Sequence, residues 1–249
     1  MIRFLVFLIL VLPIENFAQD VSRLLKEAQQ QEMVFKENEA FSKYNEVLRI
    51  QPSNMTALCK SSELCSRIGA RQKEKVKKTD YYKAARTYAV AALRLNPNSS
   101  EANFVMAFAL GRLTLISTGK EKVGAVKDIK YYAENAIKAD PNNFKAYHVL
   151  GKWNYEVSDL NFAERSLARW LYGGLPKASL QDAIYNYEKS RAINPVFVLN
   201  YLELAKAYYR NNEKKKAVDL LNRMMPIPPG MLDDTRIKEE GKHLLTEWR

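Results

Sequence analysis

The chain has 249 residues and a formal net charge of +11 at neutral pH. That length fits one or two ordinary domains, and so positive a balance favours an acidic partner: an anionic membrane, nucleic acid or an acidic peptide. Cys59 and Cys65 stand six residues apart, with no CxxC spacing and no histidine pair nearby, which argues against a disulfide framework, a metal centre and redox chemistry.

The chain opens MIRFLVFLILVLPIENFAQD. One arginine, an apolar run from Phe4 to Leu12, a helix-breaking Pro13 and a short polar end predict a secretory signal over residues 1–19, cleaved after Ala18 or Gln19. The run is shorter than the roughly 20 residues a spanning helix needs, so an uncleaved anchor is the weaker alternative. The expected location is secreted or periplasmic. The mature part, residues 20–249, carries all of the excess charge, because Arg3 and Glu15 cancel.

From there the sequence predicts helices and no strands, with no Asn-Gly or Asp-Gly hairpin turn anywhere. The first predicted pair runs Val21–Met33 and Glu37–Ile50. A second starts after Pro52, is interrupted by RQKEKVKKTD (Arg71–Asp80) and resumes over Tyr81–Leu95. The third is Ser100–Ile116 with Val123–Ala139. The fourth opens at Asn143, and its partner is Leu180–Ile193. Between them lies an inserted segment, residues 158–179, in which Phe162, Leu167, Trp170 and Leu171 recur at helical spacing ahead of Gly173-Gly174. The fifth pair is Val198–Arg210 and Glu213–Met225. A linker, residues 226–230, then leads to a capping helix within 231–249.

Four prolines set a register. Pro52, Pro97, Pro141 and Pro195 each end a helical run, at intervals of 45, 44 and 54 residues. Twelve before them stand Ala40, Ala85, Ile129 and Ala183, and eight before stand Tyr44, Ala89, Ala133 and Tyr187. Ten after come Ser62, Ala107, Gly151 and Ala205, all small. This is a degenerate tetratricopeptide pattern, whose ordinary period is about 34 residues. The predicted fold is an all-α tetratricopeptide-like solenoid of helical hairpins, with an inserted short helix and a C-terminal capping helix.

HVLGKWNYEVSDL, the following ERSLARWLYGGLPKASLQDAIYNYEKSRAINP and LNYLELAKAYY together resemble the regulator of microtubule dynamics family. GRLTLISTGKEKVGAVKDIKYYAENAIKADPNN extends the likeness upstream, so that it covers about Lys36 to the C-terminus. The resemblance implies a non-enzymatic helical binding domain and, from animal members, association with microtubules or organelle membranes. The expected signal peptide argues against tubulin as the partner and points to a secreted or periplasmic relative from a bacterium.

In such folds the first helix of each pair lines a concave groove. Counting from each proline places Arg67, Phe104, Phe108, Arg112, His148, Lys152, Tyr155, Lys206, Tyr209 and Arg210 there. Cations interleaved with aromatics suit an acidic peptide or partner protein, or alternatively anionic phospholipid or a membrane surface. Two lysine-rich stretches, Arg71 to Lys78 and Lys120 to Lys130, are expected as solvated loops that could also meet an anionic surface. No nucleic-acid motif is present. His148 has no nucleophile at motif spacing and is expected to pack or hydrogen-bond, and Trp153 and Trp170 are expected in the core. No catalytic residue, metal site or cofactor is predicted.

Overall fold

A computed structural model describes residues 14–248 as twelve helices joined by short connections, with no strands among the described residues. The apolar run of the expected signal, in residues 1–13, lies outside the described residues. Among those described, no helix is long and apolar enough to cross a membrane. The helices are α1 (Ile14–Met33), α2 (Glu37–Ile50), α3 (Met55–Arg71), α4 (Lys75–Leu95), α5 (Ser100–Leu113), α6 (Gly119–Ala139), α7 (Phe144–Asp159), α8 (Phe162–Tyr172), α9 (Leu180–Ile193), α10 (Val198–Arg210), α11 (Lys214–Met224) and α12 (Asp234–Trp248). Helix α1 runs through the expected cleavage point at residues 18–20.

Local chemistry at each proline punctuates the chain. Asn96, Asp140 and Asn194 stand immediately before a proline, and the side chain of each accepts from the N–H two residues on, at 3.0, 2.9 and 3.1 Å. These turns give the backbone an alternative to another helical residue. Two residues after Pro52, Pro97 and Pro141, the side chains of Asn54, Ser99 and Asn143 cap α3, α5 and α7. After Pro195 the equivalent place is taken by Phe197, which makes no side-chain cap and instead packs edge-on against Phe144 and His148.

The helices pair as α1–α2, α3–α4, α5–α6, α7–α9 and α10–α11, and α12 packs on α10 and α11. The first helices of successive pairs also touch each other (α3 with α5, α5 with α7, α7 with α10), so they form one continuous inner layer. All twelve register positions around the prolines are buried, from Ala40 and Tyr44 to Tyr187 and Ala205. Gly151 shows why the position ten after the proline must be small. A Cβ added there would lie 2.8 Å from the ring of Tyr187 on α9.

Three expectations change. RQKEKVKKTD is not an interruption, because only residues 72–74 separate α3 from α4, and Lys75, Lys77 and Lys78 form the first turn of a 21-residue helix. The stretch contains neither glycine nor proline, and lysine is a good helix former, so nothing stops the helix. Likewise α6 begins at Gly119 and takes in Lys120, Lys122, Lys127 and Lys130. The long period is therefore built largely from extra helical turns rather than loops. Third, Trp153 is core, donating from its Nε1 to the Val126 carbonyl at 2.7 Å, but Trp170 is 82% exposed and Phe162 86% exposed. Helices α7 and α9 pair directly with each other, which leaves inserted α8 outside the two layers, touching α6.

Candidate functional site

The inner layer carries a row of cations laid on aromatic faces. The Nζ of Lys145 is 5.2 Å from the Phe104 ring centre, and the Arg112 guanidinium 4.9 Å from that of Phe108. Lys152 and Arg210 share Tyr155, at 5.5 and 4.0 Å. Phe104 and Phe108 stack on one another at 5.8 Å. Tyr209 is not a free groove wall, because it stacks on Trp248 of α12 at 4.1 Å. The structure thus brings seven of the ten expected residues into two neighbouring clusters, Phe104, Phe108 and Arg112 on α5 and Lys152, Tyr155, Lys206 and Arg210 on α7 and α10. His148 and Arg67 do different work.

His148 donates from Nδ1 to Oδ1 of Asn200 at 2.9 Å, and the Asn200 Nδ2 in turn donates to the Tyr187 carbonyl at 2.8 Å. With its amide so committed, Asn200 fixes Nδ1 as the nitrogen that carries a proton. Arg67 is held by Glu37 and Glu63.

The surface is mixed rather than uniformly basic, since carboxylates stand between almost all of these cations. Glu63 on α3 takes Lys145 of α7 at 2.8 Å and Arg67 at 3.6 Å. Glu203 on α10 takes Lys152 at 2.7 Å and Lys206 at 3.6 Å, and Lys206 reaches Glu240 of α12 at 2.6 Å. Arg210 meets Asp159 at 3.1 Å. Glu37, buried at the start of α2, binds both Arg67 and Arg71, and Arg71 also reaches Asp233 at 2.8 Å. That last pair joins the second hairpin to the segment leading into α12, so the inner layer curves until its ends meet. Counting from prolines alone missed these acids. One was within reach: Glu63 stands eleven residues after Pro52, as Phe108, Lys152 and Lys206 stand eleven after theirs.

Burial alone would push Glu63 upward, but Lys145, Lys60 and Arg67 hold its carboxyl down at about 2. Burial pushes His148 below its ordinary value, against the opposing pull of Asn200 and Glu203. Each group contributes stability above its unfolded value that is lost as pH falls towards its folded one. The melting temperature should therefore hold above pH 7 and drop in two stages. The first begins near pH 6.5 with His148, and the second runs from about pH 4.5 towards about 2 with Glu63. A thermal melt series from pH 8 to 3 checks this, and melting that rose on acidification would contradict it.

Burial also drives the Cys59 and Cys65 thiols up to about 12, which keeps both protonated and unreactive at neutral pH. No cluster of histidine, cysteine and acidic side chains suited to a metal ion occurs among the described residues.

Helix α8 is built with care. Asn161 and Glu164 form a reciprocal capping box at 2.9 Å each. Gly173, at φ +71°, closes the helix in the left-handed conformation, with the Gly174 N–H returning to the Ala168 carbonyl at 3.0 Å. Arg165 ties the helix to the end of α7 by donating to the Val157, Ser158 and Leu160 carbonyls. Phe162, Trp170 and Leu171 nevertheless point outward, while Ala168 is buried.

The architecture has counterparts among solved structures. A thermophilic TPR protein of Thermus thermophilus matches 90% of this chain and 99% of its own, with a TM-score of 0.66 at 13% identity. PilF of Pseudomonas aeruginosa matches 94% of this chain and 90% of its own, with a TM-score of 0.57 at 12% identity. At such identities the likeness is one of fold. In sequence the chain is 29% identical over 160 residues to Regulator of microtubule dynamics protein 1 of Caenorhabditis elegans, covering 64% of this chain and 71% of the relative. It is 29% identical over 174 residues to the Mus musculus protein of that name, covering 70% of this chain and only 57% of the relative. The family model described as Regulator of microtubule dynamics protein 1-3 matches residues 24–249. That span runs from the middle of α1 through the outward α8 to the cap, and the chain belongs to this family.

Proposed function

We propose that this chain is a non-catalytic adaptor, working outside the cytoplasm, whose inner layer holds an acidic segment of a partner protein. The observation that supports this best is the row of four cations lying on Phe104, Phe108 and Tyr155. Cations held flat on aromatic rings present both a charged and an apolar surface to an extended peptide. Catalysis is disfavoured because His148 is committed to Asn200 and both thiols are buried and protonated. The location rests on the signal-like N-terminus. Fluorescence anisotropy with labelled hexaglutamate and hexalysine tests the groove. Hexaglutamate should bind, more weakly at higher salt, and the Tyr155→Ala, Arg210→Gln double variant should weaken it. Equal binding of both peptides, or of neither, would sink the reading.

A second reading, membrane-surface contact, is favoured by α8 alone. Phe162 and Trp170 project outward beside exposed Arg169, and an interfacial helix has that composition. Flotation with phosphatidylglycerol vesicles should carry the chain up, and Phe162→Ala with Trp170→Ala should abolish it. Unchanged flotation by the double variant would remove α8 from any membrane role.

A further inference from the structure

Arg112 is the exception in the inner layer. Lys145, Lys152, Lys206, Arg67, Arg71 and Arg210 each have a carboxylate within 4 Å, whereas Arg112 has none among the described residues and makes only its contact with the Phe108 ring. Its Nε is buried with no hydrogen-bond partner. The acid that acts on it, Asp233, is held by Arg71 at 2.8 Å and Arg236 at 3.7 Å. Burial disfavours the Arg112 charge, Asp233 is the acid that attracts it, and Arg236 and Arg71 repel it. The result is a local excess of positive charge at the end of α5, beside the stacked Phe104 and Phe108, where α3 and the approach to α12 meet.

A buried polar group without a partner costs stability, and this chain satisfies nearly every other buried cation. Arginine is also the cation best suited to taking a carboxylate through two parallel hydrogen bonds. We propose that Arg112 is the anchor of the groove: it receives one side-chain carboxylate of the bound acidic peptide, with Arg71 and Arg236 supplying long-range attraction and the half-buried Phe108 ring, backed by buried Phe104, the apolar floor. This rests on the adaptor reading above and adds the residue that carries affinity.

Arg112→Met retains the side chain's bulk and removes the unpaired charge. Two measurements on the full chain test the assignment: hexaglutamate anisotropy and the melting temperature without peptide. Arg112→Met should weaken hexaglutamate roughly tenfold or more, the loss expected of one charge-assisted pair. Its melting temperature should equal or exceed that of the parent, because no native partner is orphaned. Lys216→Gln, on an exposed lysine of α11, serves as the control for general charge loss and should change binding less than about twofold. Hexaglutamate binding that survives in Arg112→Met while Tyr155→Ala, Arg210→Gln weakens it overturns the anchor and leaves the groove. A melting temperature that drops with binding unchanged makes Arg112 a purely structural contact. Failure of the parent chain to bind hexaglutamate at all overturns both.

Discussion

Glu63→Gln is expected to cost about 3–5 kcal/mol, the penalty of leaving buried charges uncompensated after one partner is removed. Glu63 is 4% exposed and stands between Lys145, Arg67 and Lys60, and the Lys145 contact crosses from α3 to α7 over α5. The glutamine keeps the shape, so lost charge compensation is the main consequence. Urea unfolding with an unchanged m-value would measure it, and a loss below about 1 kcal/mol would show that water already screens the cluster. The same variant should shrink the lower stage of the acid melt, to which Glu203 also contributes, while sparing the stage that begins near pH 6.5.

The second large effect belongs to the α7–α9 crossing. Tyr187→Ala removes a fully buried ring that packs on Gly151 and lies 5.5 Å from the His148 ring, and should cost about 3–5 kcal/mol. Gly151→Leu drives a side chain into that ring and should cost about 1–3 kcal/mol. Because they share one space, the two should not add. The double variant is expected to be more stable than the sum of the singles predicts, by at least about 0.5 kcal/mol, since the truncated tyrosine leaves room for the leucine. Strict additivity in thermal or urea unfolding would show that the two residues do not meet.

The repeat architecture was legible because it is written in residues whose size or conformation is dictated locally. Proline stops helices wherever it stands, and a position at a helix crossing tolerates only small side chains, so Ser62, Ala107, Gly151 and Ala205 could be read by counting. Charge partners were harder. Lys145 and Glu63 are 82 residues apart in sequence, and their pairing depends on the tilt of three helices. Counting from the prolines put cations at the inner layer, but not Glu63 and Glu203, the buried acids that hold Lys145, Lys152 and Lys206. Reversing the charge of Lys152 or Lys206 would place a third carboxylate beside Glu203 and its neighbours, and would report on stability before binding. Trp170 failed for a related reason. Its helical spacing is real, but an inserted helix has no reserved place in the two layers, so apolar periodicity alone does not say which side is covered.

The bridge from Arg71 to Asp233 bears on how this fold can evolve. Solenoids made of units that touch only their neighbours can gain or lose a unit by duplication or deletion with little effect on the rest. Here the second hairpin and the approach to the cap hold each other directly. Adding one hairpin between them would carry Asp233 away from Arg71 and leave Glu37 and Arg112 in a different electrostatic setting. The number of units between the second hairpin and the cap is therefore constrained by that contact, and change within this span is expected to be tolerated in the lengths of individual helices and in insertions such as α8 rather than in the count of repeats.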